Sequence, residues 1–158
     1  MVRIELINNK RKPLFQYRLT EDYSVTVLLD TGASMSIFDN SFRSIKSVFP
    51  NAYKSDKSVK VASIDGAAQY DVWIVPEMKL KTITFKNVPF VCRPLGRFGV
   101  GIILSAELFH VDGFAVCYRN NSLVLGDGHK VIYCSLAIDI ATGKVRYFYT
   151  FMNDTEVT

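Results

Sequence analysis

The feature that most limits what this chain can become is its rhythm. Short runs rich in Val, Ile, Phe, Tyr and Thr follow one another from Val2 to Phe151, each cut off by turn residues. β-Branched and aromatic side chains favour the extended, pleated backbone, and Gly, Asn, Asp and Pro interrupt it. "VRIELI" is one such run. "LFQYRL" and "SVTVLLD" form a hairpin about "TEDY", and "SVKVASI" and "AQYDVWIVPEMKL" form another about Asp65-Gly66. "TITFKNVPFVC" reads as two strands with a turn at Lys86-Asn87, Pro89 lying near an edge. "GVGIIL" is a continuous apolar run, the pattern of a fully buried strand. Turns at Asn120-Asn121, Asp127-Gly128 and Thr142-Gly143 divide the rest into hairpins. Helical spacing is confined to two places. Phe42, Ile45 and Phe49 are closed off by Pro50, and "SAELF" has Ser105 as its N-cap. The pattern predicts a mostly-β fold, a closed or sandwiched barrel with one or two short helices.

A length of 158 residues suffices for one domain with its own core, and 49% hydrophobic against 22% charged is a globular balance. The net charge of +4 is too small a surplus to define a nucleic-acid binder. Its one dense cluster, Lys10-Arg11-Lys12, lies between Asn and Pro and reads as a solvated turn. Cys92, Cys117 and Cys134 form no CxxC pair and sit in apolar runs, as buried free thiols do. That usage favours a reducing compartment. No apolar h-region opens the chain and no run reaches the length of a membrane span, so the expectation is a cytoplasmic protein without a membrane partner. His110 and His129 are isolated, which leaves neither a metal site nor a Ser–His or Cys–His apparatus in view. No metal or other cofactor is expected.

One strand ends unusually. "SVTVLLDTGASMSIFDNS" carries an apolar run into Asp30 and then into Thr31-Gly32-Ala33-Ser34. Asp-Thr-Gly by itself is ordinary turn composition. Two later stretches give it weight: the hairpin about Gly66 in "SIDGAAQY", and "GIILSAELF" at residues 101–109.

Together these resemble the retropepsin-like aspartic proteases. "VLLDTGAS" matches the family's apolar strand and Asp-Thr-Gly-Ala/Ser loop. Ile64, Asp65, Gly66 and Ala67 stand where the family has its flap, and Ile103, Leu104 and Ser105 match its strand-to-helix element. "FAVCYRNNSLVL" looks like the hairpin that follows. The resemblance covers about residues 14–126 and implies a closed acid-protease barrel. One domain over 1–158 is expected, with a C-terminal hairpin extension at about 130–152 assigned to a dimer interface.

The activity implied is aspartic endopeptidase. Two carboxylates share one proton, and a water between them is activated without metal or covalent intermediate. One chain supplies one Asp-Thr-Gly, so the resemblance implies a symmetric homodimer with an Asp30 from each subunit. By the same resemblance, Thr31 bonds across the axis, Gly32 brings backbone close to Asp30, Ala33 leaves space and Ser34 bonds the loop. Val27, Leu28 and Leu29 would form an apolar wall about the pair. An extended peptide would bind by strand addition under the flap. Asp139 and Asp127, the rival sources of a second carboxylate, read as surface and turn residues. Tyr70 and Trp73 read as core or interface.

Three departures are visible. Ser105 replaces the family's Gly, which puts close backbone packing against the Asp30 loop in question. Glu107 replaces Asp, and the flap holds a single glycine. They motivate a second reading, a catalytically weak or inactive module for dimerisation or peptide binding. A third is an unrelated basic barrel that binds nucleic acid.

Overall fold

The computed structural model describes residues 2–7, 12–63, 66–95, 99–109, 113–126, 130–138 and 145–153. The strands are β1 (Val2–Glu5), β2 (Leu14–Thr20), β3 (Tyr23–Asp30), β4 (Ser36–Asp39), β5 (Tyr53–Ser63), β6 (Gly66–Leu80), β7 (Ile83–Arg93), β8 (Ile102–Ser105), β9 (Phe114–Cys117), β10 (Ser122–Leu125), β11 (Lys130–Ile138) and β12 (Val145–Asn153). A single α-helical turn, α1 (Ile45–Val48), and a 3-10 turn (Ala106–Phe109) are the helical pieces. Among the described residues no helix is long and apolar enough to cross a membrane.

The fold is mostly β, as its rhythm predicts. The larger sheet runs β12-β11-β7-β4-β8-β3-β2, with the β5–β6 hairpin attached through β6 to β7. A smaller sheet runs β1-β10-β9. Among the described residues the larger path does not return on itself, so the sheet is open where a closed barrel was expected. Its ends are β2 and β12, and β1 pairs with β10 in the smaller sheet.

Alternation explains why these strands face as they do. In β3, Val25, Val27 and Leu29 are buried while Thr26, Leu28 and Asp30 are half-exposed, the period of two that a one-sided core imposes. The buried face meets Phe15, Phe38, Phe85, Phe90, Ile102 and Leu104 in one large core. Aromatic edges knit it: Phe85 and Phe109 stand 5.5 Å apart, edge to face.

Two segments depart from the sequence expectations. Phe42 is 82% exposed, while Ile45 and Phe49 are buried, so the apolar helical face starts later and α1 is one turn long. The residues before it form β4, a four-residue strand between β7 and β8. "TITFKNVPFVC" is one continuous strand, β7, and the reversal falls at Lys81, with φ 57°. Asn87 does take a left-handed φ of 59°, but inside the strand and opposite Pro76. The buried positions switch parity there on both strands: Leu80 and Met78 give way to Val75, and Ile83 and Phe85 to Val88 and Phe90. The kink keeps both halves of a long hairpin facing one core. Pro89 has a buried side chain and pairs with Ile74 of β6, in the stretch between the pairings of β7 with β11 and with β4.

Candidate active site

Asp30 is the last residue of β3, and the parallel pairing of β3 with β8 sets it level with Ser105, the last residue of β8. Both strands break off at this point, one into Thr31-Gly32 and the other into the 3-10 turn. Asp30 Oδ1 accepts a hydrogen bond from the Gly32 backbone N–H at 2.8 Å, an Asx turn that orients the carboxylate. A Cβ on residue 32 would stand 3.4 Å from that oxygen. That is an ordinary van der Waals contact, and the described positive-φ glycines are Gly66, Gly99 and Gly113, so within one chain neither space nor a left-handed backbone demands glycine at 32. Thr31, Gly32 and Ser34 are exposed, and Ala33 and Asp30 are half-exposed.

Ser105 resolves the question its side chain raised. It is buried, and its hydroxyl donates to the Ala33 carbonyl at 2.7 Å. Its backbone N–H donates to the Ser36 hydroxyl at 3.0 Å, and its own hydroxyl accepts from the Glu107 N–H at 3.3 Å. The Asp30 loop is thus pinned to β8 and β4 by a hydroxyl, and the same hydroxyl caps the 3-10 turn as the N-cap expectation required.

The expected apolar wall is built differently. Val27 and Leu29 point into the core, and only Leu28 shares the face of Asp30. Ile103 lies beside Leu28, Ile37 beside Ile103 and Val91 beside Ile37, so cross-strand neighbours extend that face as an apolar row over four strands. Ile103 belongs to the row, while Leu104 is core.

The β5–β6 hairpin is paired to its end, from Ser58 opposite Asp71 to Ser63 opposite Gly66. Gly66, with φ 116°, holds a backbone that other residues rarely adopt, and Ala67 pairs with Ala62. Ile64 and Asp65 lie outside the described residues, as do Asp127, Asp139, His110 and His129. Tyr70 and Trp73 pack on the core, and Arg93 lies over the Tyr70 ring at 5.6 Å.

Sequence reasoning missed two groups. Ser36 is the buried acceptor just described, hidden because β4 was not recognised. Asp39 is 7% exposed, and its Oδ1 accepts from the backbone N–H of Ser41 at 2.9 Å and of Leu95 at 3.2 Å. Burial would raise its pKa, but bonds from the Ser41 side chain and backbone and from Leu95 outweigh it, leaving Asp39 below its usual 3.8. The Asp-Asn-Ser run at 39–41 is an Asx-turn signature that could have revealed it.

Among the described residues, no three His, Cys, Asp or Glu side chains are grouped to hold a metal ion. The cysteines are free, and burial pushes the Cys92 thiol up to about 11 and that of Cys134 up to about 12.

A strand-borne carboxylate, a glycine turn at its foot and a second strand pinned alongside are the parts that the structure brings together here. Residues 16–108 match the family model described as aspartyl protease, and the chain belongs to that family, of retropepsin-like type. A crystal structure of a retropepsin-like aspartic protease from Rickettsia conorii is similar in fold. Its TM-score is 0.51 at 17% identity, over 78% of this chain and 88% of that one. Among curated proteins none matches the sequence.

Proposed function

We propose that the protein is a homodimeric aspartic endopeptidase in which Asp30 and its counterpart in a second copy share one proton across a two-fold axis. The observation that carries this is the setting of Asp30: half-exposed at the end of β3, oriented by Gly32, on a loop fixed by Ser105. A single such carboxylate cannot act at once as base and acid, and family membership supports completion by a second copy.

The chemistry follows from the pair. Two carboxyl groups a few ångströms apart cannot both ionise, so one stays protonated. The ionised group takes a proton from a water as its oxygen attacks the scissile carbonyl carbon, and the protonated group gives its proton to the carbonyl oxygen. The tetrahedral intermediate then breaks its C–N bond while the amine nitrogen takes up a proton. The second copy and the substrate would add to the apolar surroundings that a single chain gives through Leu28, Ile103, Ile37 and Val91.

In this reading Thr31 bonds across the axis and Ala33 and Ser34 shape the loop. The β5–β6 hairpin, with Ile64, Asp65, Gly66 and Ala67 at its tip, is the flap. An extended peptide lies beneath it by strand addition. The single protease domain ends in the β11–β12 extension. The three free thiols favour a reducing, cytoplasmic setting and limited processing of a specific protein. The inactive-module reading loses its main motive, since Ser105 adds a bond to the loop instead of loosening it.

The test is cleavage of a diverse peptide library, read by mass spectrometry between about pH 4 and 7, where a split dyad holds one proton. Cuts made by the wild-type chain should vanish in Asp30→Asn. Cuts that survive the substitution, or none at all from a verified folded dimer, reject the reading.

A further inference from the structure

The β5–β6 hairpin is not regular throughout. Tyr53 and Lys54 pair with Ile74 and Trp73, but the register then slips, so that Ser55, Asp56 and Lys57 stand opposite Val72 alone. Beyond the slip the register is unbroken to Ser63 and Gly66. A bulge leaves residues without ladder partners and lets a strand bend. The outer hairpin can therefore tilt as one body, and the bend falls at 55–57. Ser55 holds the bulge from inside, its hydroxyl donating to the Val72 carbonyl at 2.7 Å and accepting from the Lys57 N–H at 3.1 Å.

From outside the bulge is held by the C-terminal hairpin. β11 runs parallel to β7 from Lys130 to Tyr133 and then leaves it. Just past that departure the Lys57 ammonium donates to the Leu136 carbonyl at 2.5 Å. The Leu136 side chain is buried in a small second core with Val59 and Val72 of the hairpin, Val91 of β7, and Met35, which directly follows the Asp30 loop. A cavity of about 450 Å³ adjoins the bulge, bounded by Tyr53 to Lys57, Pro89 and Cys134 to Leu136. It leaves the bulge room to move.

We propose that residues 55–57 are the hinge of the hairpin and that β11 latches it through Lys57 and Leu136. This rests on the reading of the hairpin as a flap. Lys57 and Leu136 are then positioning residues: they set the height of the hairpin above Asp30 without touching substrate. The strand that carries Leu136 lies beyond the segment matched to the family model. The exposed Lys54–Asp71 pair, 3.9 Å apart, adds little to the hold.

The experiment is hydrogen exchange by mass spectrometry on the full chain, comparing wild type with Lys57→Met, Lys57→Arg and Leu136→Ala. Lys57→Met keeps the apolar stem and removes the donor. Exchange in peptides spanning 58–71 should rise about tenfold in Lys57→Met and Leu136→Ala. Peptides spanning 25–30 and 101–105 should keep their rates, and Lys57→Arg should restore protection. An equal rise in all peptides, or no rise in 58–71, overturns the latch. On a peptide that the wild type cleaves, KM should rise about fivefold for Lys57→Met with kcat within about twofold; equal loss in both overturns the positioning role. The exchange arm needs no activity. If it behaves as expected and the wild type cleaves nothing, the latch stands and the protease reading falls.

Discussion

Ser105 and Asp39 do comparable work at opposite ends of β4. Each is a buried polar group that ties a loop to the sheet, and removing either takes away the hydrogen bonds that hold that loop. Ser105→Ala removes the hydroxyl's bonds to the Ala33 carbonyl and from the Glu107 N–H. It should cost about 1–2 kcal/mol in urea unfolding and lower kcat/KM more than it changes the fold. Asp39 adds a pH dependence. Its folded pKa lies below 3.8, so between that value and the unfolded one the unfolded chain binds more protons. Its stabilisation is complete above the unfolded pKa and is lost as pH falls through the folded one. Asp39→Asn should be less stable than wild type by about 1–3 kcal/mol at neutral pH, the gap closing below about pH 4. A gap independent of pH would reject this. The place of Asp30 at a strand end running into a glycine turn could be read in the sequence, because "SVTVLLDTG" carries the strand and the turn locally. Asp39 and Ser36 could not, because what gives them meaning is contact with Leu95 and Ser105, which lie far along the chain.

At the scale of elements, local alternation revealed the hairpins β2–β3, β5–β6 and β9–β10, whose partners are neighbours in sequence. It failed at β4 and in the middle of β7. β4 is four residues long between β7 and β8, and Ser36 and Asp39 gave it the look of a loop. In β7 the Lys86-Asn87 pair resembled a turn, yet Val88 and Phe90 need the same core as Ile83 and Phe85. Only the parity switch opposite Pro76 reconciles them, and it requires knowing the partner strand. The approach to β8 is a tight junction of elements. The Gly101 N–H donates to the Thr26 carbonyl at 2.9 Å, and its carbonyl accepts from Asp39 N–H at 2.9 Å. A Cβ there would lie 2.5 Å from Val25 Cγ1, on a stiff β-branched side chain with little freedom to yield. Gly101→Ala should destabilise by about 1–3 kcal/mol, read as a lower midpoint of denaturation, and relieving the contact with Val25→Ala should recover part of it.

For the whole molecule the proposal of a shared dyad makes activity a property of pairs. At equilibrium, adding an equal amount of Asp30→Asn to a fixed amount of wild type should lower activity to about half, because mixed dimers form. Independent monomers would show no loss. Sedimentation should find a species of twice 17.9 kDa wherever activity is found. The smaller sheet carries a different consequence, one of timing. β1 (Val2–Glu5) finds its partner in Ser122–Leu125, more than a hundred residues along the chain. A ribosome takes on the order of ten seconds to cover that distance. Throughout that interval Val2, Ile4 and Leu6, all buried in the finished fold, have no partner strand. The delay makes the strand at residues 2–5 a late arrival in folding, and a newly made chain exposes an apolar edge on which neighbouring chains can aggregate until β10 emerges.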